Sequence, residues 1–182
     1  MPKTTKIYGA AFKNCISLTT INLPEVLSLE NNWNALNCGV FQECYNLTEV
    51  NLPKATYIGG YTFYNCSSLT SVSLPEVTFI DQDGFGGCTS LSSIYIPKLT
   101  SIGNRAFYNC SSLISLDFQN LQQINANGTF TGCTALTSIY IRTSTKCVLS
   151  GTNLGKKISY VYVPSSLITE YQNDTNWRNA VS

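Results

Sequence analysis

A phenylalanine followed three residues later by a cysteine recurs six times at nearly constant spacing, and this recurrence restricts the chain to one kind of architecture. The pairs are Phe12 and Cys15, Phe41 and Cys44, Phe63 and Cys66, Phe85 and Cys88, Phe107 and Cys110, and Phe130 and Cys133. Successive phenylalanines lie 29, 22, 22, 22 and 23 residues apart. Each pair runs on into Leu-x-x-(Ile/Val/Leu)-x-(Leu/Ile/Phe), from Leu18–Leu23 in the first unit to Leu136–Ile141 in the sixth. A proline follows the first four, at Pro24, Pro53, Pro75 and Pro97. Chance does not hold five apolar positions in phase, so the repeat governs every later reading.

Within a unit the Leu-x-x-Ile-x-Leu stretch alternates, which reads as a short strand with one face buried. Proline then ends the ladder. Two positions on stands an apolar residue (Val26, Ala55, Val77, Leu99, Leu121), and three further another (Leu29, Ile58, Ile80, Ile102, Ile124). A turn with Gly, Asn or Asp leads to Phe-x-x-Cys and closes the coil. So small a coil cannot own a core; its inward residues leave water only when further coils stack above and below. Equivalent strands should therefore pair in parallel, roughly 4.8 Å apart, with right-handed crossovers.

The unit resembles the BspA-type leucine-rich repeat, which runs L-x-x-I-x-(L/I)-P-x-x-(V/L)-x-x-I-G-x-x-A-F-x-x-C. Residues 91–110, with Leu91, Ile94, Ile96, Pro97, Leu99, Ile102, Gly103, Ala106, Phe107 and Cys110, carry this order of residues, with one residue rather than two between Pro97 and Leu99. The likeness covers roughly residues 7–164. It implies a leucine-rich-repeat solenoid with a parallel β-sheet on one face, turns and short irregular or 3-10 segments on the other, and a short C-terminal capping helix. It also implies the function of bacterial surface proteins that adhere to proteins or cells, hence a cell-surface or secreted location.

Departures from the repeat refine the layout. Ile7 lies five residues before Phe12, as Ile102 does before Phe107, so the chain begins mid-unit. A half coil without a polar cap fits either a natural start or a module cut from a longer chain. The spacing of 29 marks seven extra residues near 31–38, read as a loop bulging from one coil. In the seventh unit Cys147 falls where isoleucine is expected, and Thr152 and Gly155 replace Phe and Cys, while Ile158–Val163 and Pro164 keep the strand pattern. Residues 1–164 thus read as solenoid and 165–182 as a cap, with a serine N-cap opening a short helix and Tyr171 and Trp177 covering the last coil.

Composition excludes several chemistries. Hydrophobic residues make up 43% and charged residues 12%, with a net charge of +1, so nothing favours nucleic acid or an anionic membrane. No run is long and apolar enough for a membrane span, and the N-terminus shows no signal-peptide core. The chain has no histidine, which removes the commonest general base and metal ligand. Six of the eight cysteines form a ladder of equivalent positions and read as buried thiols, with a disulfide between neighbouring rungs as the alternative that spacing leaves open; Cys38, in the insertion, reads as the thiol most open to solvent. Their spacing is not that of a zinc site. Gly151–Lys157 lacks the spacing of a phosphate loop, and Asp81-Gln82-Asp83-Gly84 lacks a calcium loop's remaining ligands, so it reads as a tight turn. The outward acids Glu49 and Asp117 sit three coils apart, roughly 14 Å, too far for a glycosidase pair. No catalytic residue, metal or cofactor is expected.

Alternation also names the outward strand positions. One file runs Thr20, Glu49, Ser71, Ser93, Ser115, Ser138, Tyr160, and its neighbour Asn22, Asn51, Ser73, Tyr95, Asp117, Tyr140, Tyr162. Tyr95, Asp117, Tyr140, Tyr160 and Tyr162 form the candidate binding patch, since tyrosine supplies contact area at low entropy cost. The competing reading is cross-strand stacking that only steadies the sheet. Three functions remain open: a non-catalytic module for protein binding or cell adhesion on a host or microbial surface, a carbohydrate-binding module using the tyrosines, or a spacer in a larger surface or virion protein. The module is expected to be a monomer or part of a longer chain.

Overall fold

The computed structural model describes residues 4–30 and 38–181, without the side chain of Thr152. The insertion expected near 31–38 therefore lies, except for Cys38, outside the described residues. The chain alternates between two parallel ribbons. Its strands are β1 (Lys6–Tyr8), β2 (Thr20–Asn22), β3 (Ser28–Glu30), β4 (Glu49–Asn51), β5 (Tyr57–Ile58), β6 (Ser71–Ser73), β7 (Phe79–Ile80), β8 (Ser93–Tyr95), β9 (Ser101–Ile102), β10 (Ser115–Phe118), β11 (Gln123–Asn127), β12 (Ser138–Ile141), β13 (Val148–Asn153) and β14 (Tyr160–Tyr162). The odd strands form one seven-stranded ribbon; the even strands form a run β2-β4-β6-β8 and a run β10-β12-β14.

The even ribbon is the Leu-x-x-Ile-x-Leu alternation made physical. Ile21, Val50, Val72, Leu116 and Ile139 point into the core, while their strand neighbours face out. The odd ribbon adds order to the stretch that the sequence leaves without a strand. It centres on Leu29, Ile58, Ile80, Ile102, Ile124 and Leu149, which pair in register. With one inward residue per two-residue rung, there is no period for a sequence reading to detect.

Between the ribbons the phenylalanines of successive units stack face to face. Phe12, Phe41, Phe63, Phe85, Phe107 and Phe130 make five neighbouring ring pairs, 5.1, 5.7, 5.1, 5.9 and 6.1 Å between centroids. Phe-x-x-Cys can turn this tightly because the residue two after each phenylalanine is left-handed. These are Asn14, Glu43, Asn65, Gly87, Asn109 and Gly132, with φ from 55° to 78°, and asparagine and glycine tolerate that region best.

The cysteines then stitch the coils together. The thiols of Cys44, Cys66, Cys88, Cys110 and Cys133 each donate to the carbonyl of a phenylalanine one coil back, at 2.9–3.2 Å. Cys44, Cys66, Cys88, Cys110, Cys133 and Cys147 are buried, whereas Cys15 and Cys38 are only partly so. Hydroxyls repeat the device at the surface: Thr56, Thr78 and Thr100 each donate to the backbone carbonyl of the preceding coil.

The seventh coil corrects the spacing argument. Ile124 pairs with Leu149, so Leu149 and not Cys147 holds the isoleucine place. Phe130 N donates to Leu154 O, as Phe63 N does to Gly84 O and Phe85 N to Ala106 O. Gly155 thus stands in phase with the phenylalanines, not the cysteines, and Thr152 lies within β13. A Cβ on Gly155 would fall 1.8 Å from Thr131 Oγ1, so the ring stack ends at Phe130. The register of β11 and β13 shifts between Asn125, opposite Ser150, and Asn127, opposite Asn153, so that β13 carries one residue more than β11 across this bulge.

The tail also differs in detail. A 3-10 turn at Ser165–Leu167 begins from Pro164 with no side-chain cap bond. Two helices follow, α1 (Ile168–Asn173) and α2 (Thr175–Ala180). The capping residue is Asp174, not a serine; its carboxylate accepts from the backbone N–H groups of Asn176 and Trp177. Tyr171 and Trp177 are buried against the last coil. The Tyr171 hydroxyl accepts from Cys147 N at 2.8 Å, and the Trp177 indole donates to Cys147 O at 2.7 Å. Asn176 donates to Leu149 O, so side chains occupy backbone groups beside β13 where no further coil stacks.

Two expectations follow from this packing. Phe85 lies 5.1 Å from Phe63 and 5.9 Å from Phe107, so Phe85→Ala removes two ring contacts at once. It should cost about 3–5 kcal/mol, read by urea denaturation, with faster amide exchange in both adjoining coils; a loss below 1 kcal/mol would contradict the stack. Burial also raises the thiol pKa of Cys44, Cys66, Cys88 and Cys110 above 9.0, and of Cys133 and Cys147 to about 12. The stabilisation is therefore intact below the unfolded value of 9.0 and is lost as pH climbs towards the folded values. Each well-shielded thiol contributes roughly 1.4 kcal/mol per pH unit to that loss. The urea midpoint should fall between pH 8 and pH 10, and less steeply in Cys88→Ala/Cys110→Ala; identical slopes in the two proteins would refute the thiol account.

Candidate functional site

The outward files of the even ribbon are fixed by register. Ser115, Ser138 and Tyr160 align, as do Asp117, Tyr140 and Tyr162. Tyr160 and Tyr162 are 60% and 48% exposed, on the last rung, where a small-residue face turns aromatic. The Tyr140 and Tyr162 rings stack at 4.5 Å and 6°, and Tyr160 lies 6.2 Å from Tyr162. Parallel pairing sets this contact, because equivalent residues on neighbouring rungs stand side by side.

Asp117 joins the tyrosines through a residue that the alternation argument missed. Arg142 Nε and Nη2 each donate to one Asp117 carboxylate oxygen at 2.7 Å, a two-pronged geometry that arginine favours. Those bonds from Asp117 are the main cause that raises the Arg142 pKa above its ordinary value. The guanidinium also sits 5.5 Å from the Tyr140 ring centroid, within cation–π range. Arg142 occupies the position that holds proline in the first four units, and its N–H donates to Phe118 O at 2.8 Å. That loss of proline was the available signal. Beside it lies a shallow hollow of about 240 Å³, formed by Tyr140, Ile141, Arg142, Tyr162, Val163 and Pro164.

Tyr95 stands apart. It is 56% exposed and aligns with Ser73, but β8 and β10 do not pair. Tyr95 joins no ring pair among the described residues. The structure thus gathers Tyr140, Tyr160, Tyr162, Asp117 and Arg142, and leaves Tyr95 on the far side of the break in pairing between β8 and β10.

A second aromatic grouping lies by the odd ribbon. Tyr57 stacks on Phe79 at 5.7 Å, and Arg105 covers Tyr108 at 4.0 Å. Tyr57 donates to Asp81, Asp83 accepts from Arg105 Nε at 3.0 Å, and Gln82 bonds Tyr61. Burial first, and then Asp81, push the Tyr57 phenol upward in pKa. Here the polar groups already serve one another, and residues 82–87 form the expected turn. No group of three or more candidate metal ligands occurs among the described residues.

Several solved structures resemble this arrangement. A leucine-rich repeat protein from Bacteroides ovatus superposes with a TM-score of 0.59 at 23% identity, over 99% of this chain and 51% of that one. The chain therefore spans about half the length of that protein. A leucine-rich repeat protein of T. pallidum gives 0.42 at 19% identity over 92% and 75% of the two chains. A leucine-rich cell surface protein of Faecalibacterium prausnitzii gives 0.37 at 20% identity over 97% and 66%. No curated protein matches the sequence. The model of the BspA type leucine rich repeat region matches in six copies, over residues 1–76 and 56–176. With nearly all of its length accounted for by that repeat, the chain belongs to the BspA-type leucine-rich repeat family.

Proposed function

We propose that this chain is a non-catalytic binding module of a surface or secreted protein, and that it grips a protein on a cell or host surface through the tyrosine-rich end of the even ribbon. The observation that carries the reading is the concentration of three tyrosines and an arginine–aspartate pair on the last rungs, beyond a face of serine, threonine and asparagine. Aromatic and arginine side chains dominate the energetics of protein interfaces. Tyr160, the most exposed of the three, keeps most of its surface available, and two χ angles limit what ordering it costs. The family supports an adhesive role and an exposed location.

The triple variant Tyr140→Ser/Tyr160→Ser/Tyr162→Ser separates the alternatives. On a panel of matrix and cell-surface proteins run beside a glycan array, the parent should bind a protein and the variant should lose at least tenfold in affinity. Glycan capture alone would make the module carbohydrate-binding. Equal behaviour of parent and variant, with unchanged thermal stability, would leave the spacer reading. If stability alone drops, by the few tenths to 1 kcal/mol of a cross-strand pair, the tyrosines serve the sheet.

A further inference from the structure

The cap closes one ribbon and leaves the other open. Tyr171, Asn176 and Trp177 bond backbone groups of Cys147 and Leu149, beside or within β13, and Ile158 bridges Val181. Strand β14 gets no such cover. It pairs with β12 on one side and is the terminal strand of its run, and neither cap helix runs beside it. Its free edge therefore presents a row of backbone donors and acceptors.

Next to that edge is a largely apolar hollow of about 600 Å³ between the last rung and the cap. Val161 and Val163 form one wall, Ile168 and Trp177 the other, and Arg178 stands at the rim. Both valines occupy core positions. Their equivalents one rung back, Ile139 and Ile141, are 0% and 1% exposed, whereas Val161 and Val163 are only partly buried. Ile168 is 44% exposed. Arg178 has no ion-pair partner among the described residues.

We infer that β14 is a strand-addition site, which takes an extended peptide segment of a partner protein with aliphatic or aromatic residues at alternate positions and a carboxylate close by. The occupant follows from the three features together. An open strand edge is satisfied by another strand. A rung continuing the ribbon sends alternate side chains inward, and here they meet the hollow between the valines and the cap. Its outward side chains come beside Tyr160 and Tyr162, and the unpaired Arg178 supplies the complement for an acid. This deepens the proposed binding role and rests on it, because it converts the tyrosine end from a flat patch into the flank of a peptide groove.

The chain itself supplies a probe. In register, Leu116 aligns with Ile139 and Ile139 with Val161, so the peptide of residues 112–120 (SLISLDFQN) carries a rung's pattern with one acid. Fluorescein-labelled peptide should bind the intact protein saturably, and amide-exchange protection should rise at residues 159–163. A peptide with Leu116→Lys and Phe118→Lys, and the protein variant Ile168→Lys, should each weaken binding at least tenfold; Ile168 is exposed, so its substitution leaves folding intact. Equal binding by a scrambled peptide, or protection elsewhere, would overturn the site. A dimer detected by sedimentation that Ile168→Lys dissociates would also overturn it, giving the edge to a second copy. Failure of the peptide while the tyrosine-to-serine variant still loses its ligand would remove this site alone and leave the binding role standing.

Discussion

Everything in this molecule depends on one constraint: no coil can bury its own apolar side chains, so each must be covered by the next. The phenylalanine column shows how completely the constraint is met. Phe63, Phe85, Phe107 and Phe130 are each wholly buried, yet what surrounds each ring is largely contributed by adjoining coils. The thiols answer the same constraint for polar groups. The carbonyls of Phe12, Phe41, Phe63, Phe85 and Phe107 each accept the backbone N–H of the cysteine three residues on, and the thiol of the next coil's cysteine supplies a second donor that ties the coils together. Cysteine suits the place because it is small and apolar enough for the core and still donates weakly. That dual demand explains why the position repeats.

The same logic explains what was legible in the sequence. Positions that touch equivalent positions must recur, so the Phe, Cys, Leu and Ile places, the outward files and the even ribbon could all be read from spacing. Elements that break the repeat could not. The seventh coil slips because the segment after Ile141 is longer, and spacing alone cannot say which residue takes up the slack. The structure settles it by bonding, with Leu149 opposite Ile124 and Leu154 accepting from Phe130. The cap was legible as apolar residues three or four apart, but its N-cap was not, because serine and aspartate compete for that role and only Asp174 has free backbone N–H groups in front of it. The odd ribbon was hidden for a simpler reason: rungs such as Tyr57–Ile58 are too short to show alternation.

The candidate site shows the limit most clearly. Outward residues contact solvent, not the repeat, so the register predicts where they stand but not how they group. It places Tyr140 beside Tyr162, and they do stack. It is silent on Arg142, which lies past the strand, and on the break in strand pairing between β8 and β10, beyond which Tyr95 stands. The lost proline at 142 was visible and meaningful. Proline there removes an N–H and carries no charge, whereas arginine restores the bond to Phe118 O and reaches Asp117.

The last rungs also show why large outward side chains can collect at the end of a solenoid. Interior rungs are constrained on both sides, since any side chain must fit a neighbour of nearly the same shape above and below. Thr56, Thr78 and Thr100 illustrate the result, each spending its hydroxyl on the coil before it. The terminal rung has a neighbour on one side only, so Tyr160 and Tyr162 can be large without crowding a further coil. The odd edge beside it is sealed by Cys147, Tyr171 and Trp177, which fixes the terminal coil firmly enough to hold those tyrosines in place. A rigid rung with one free edge and bulky outward side chains is thus a direct product of how the repeat ends, and it requires no residue beyond those that terminate the stack.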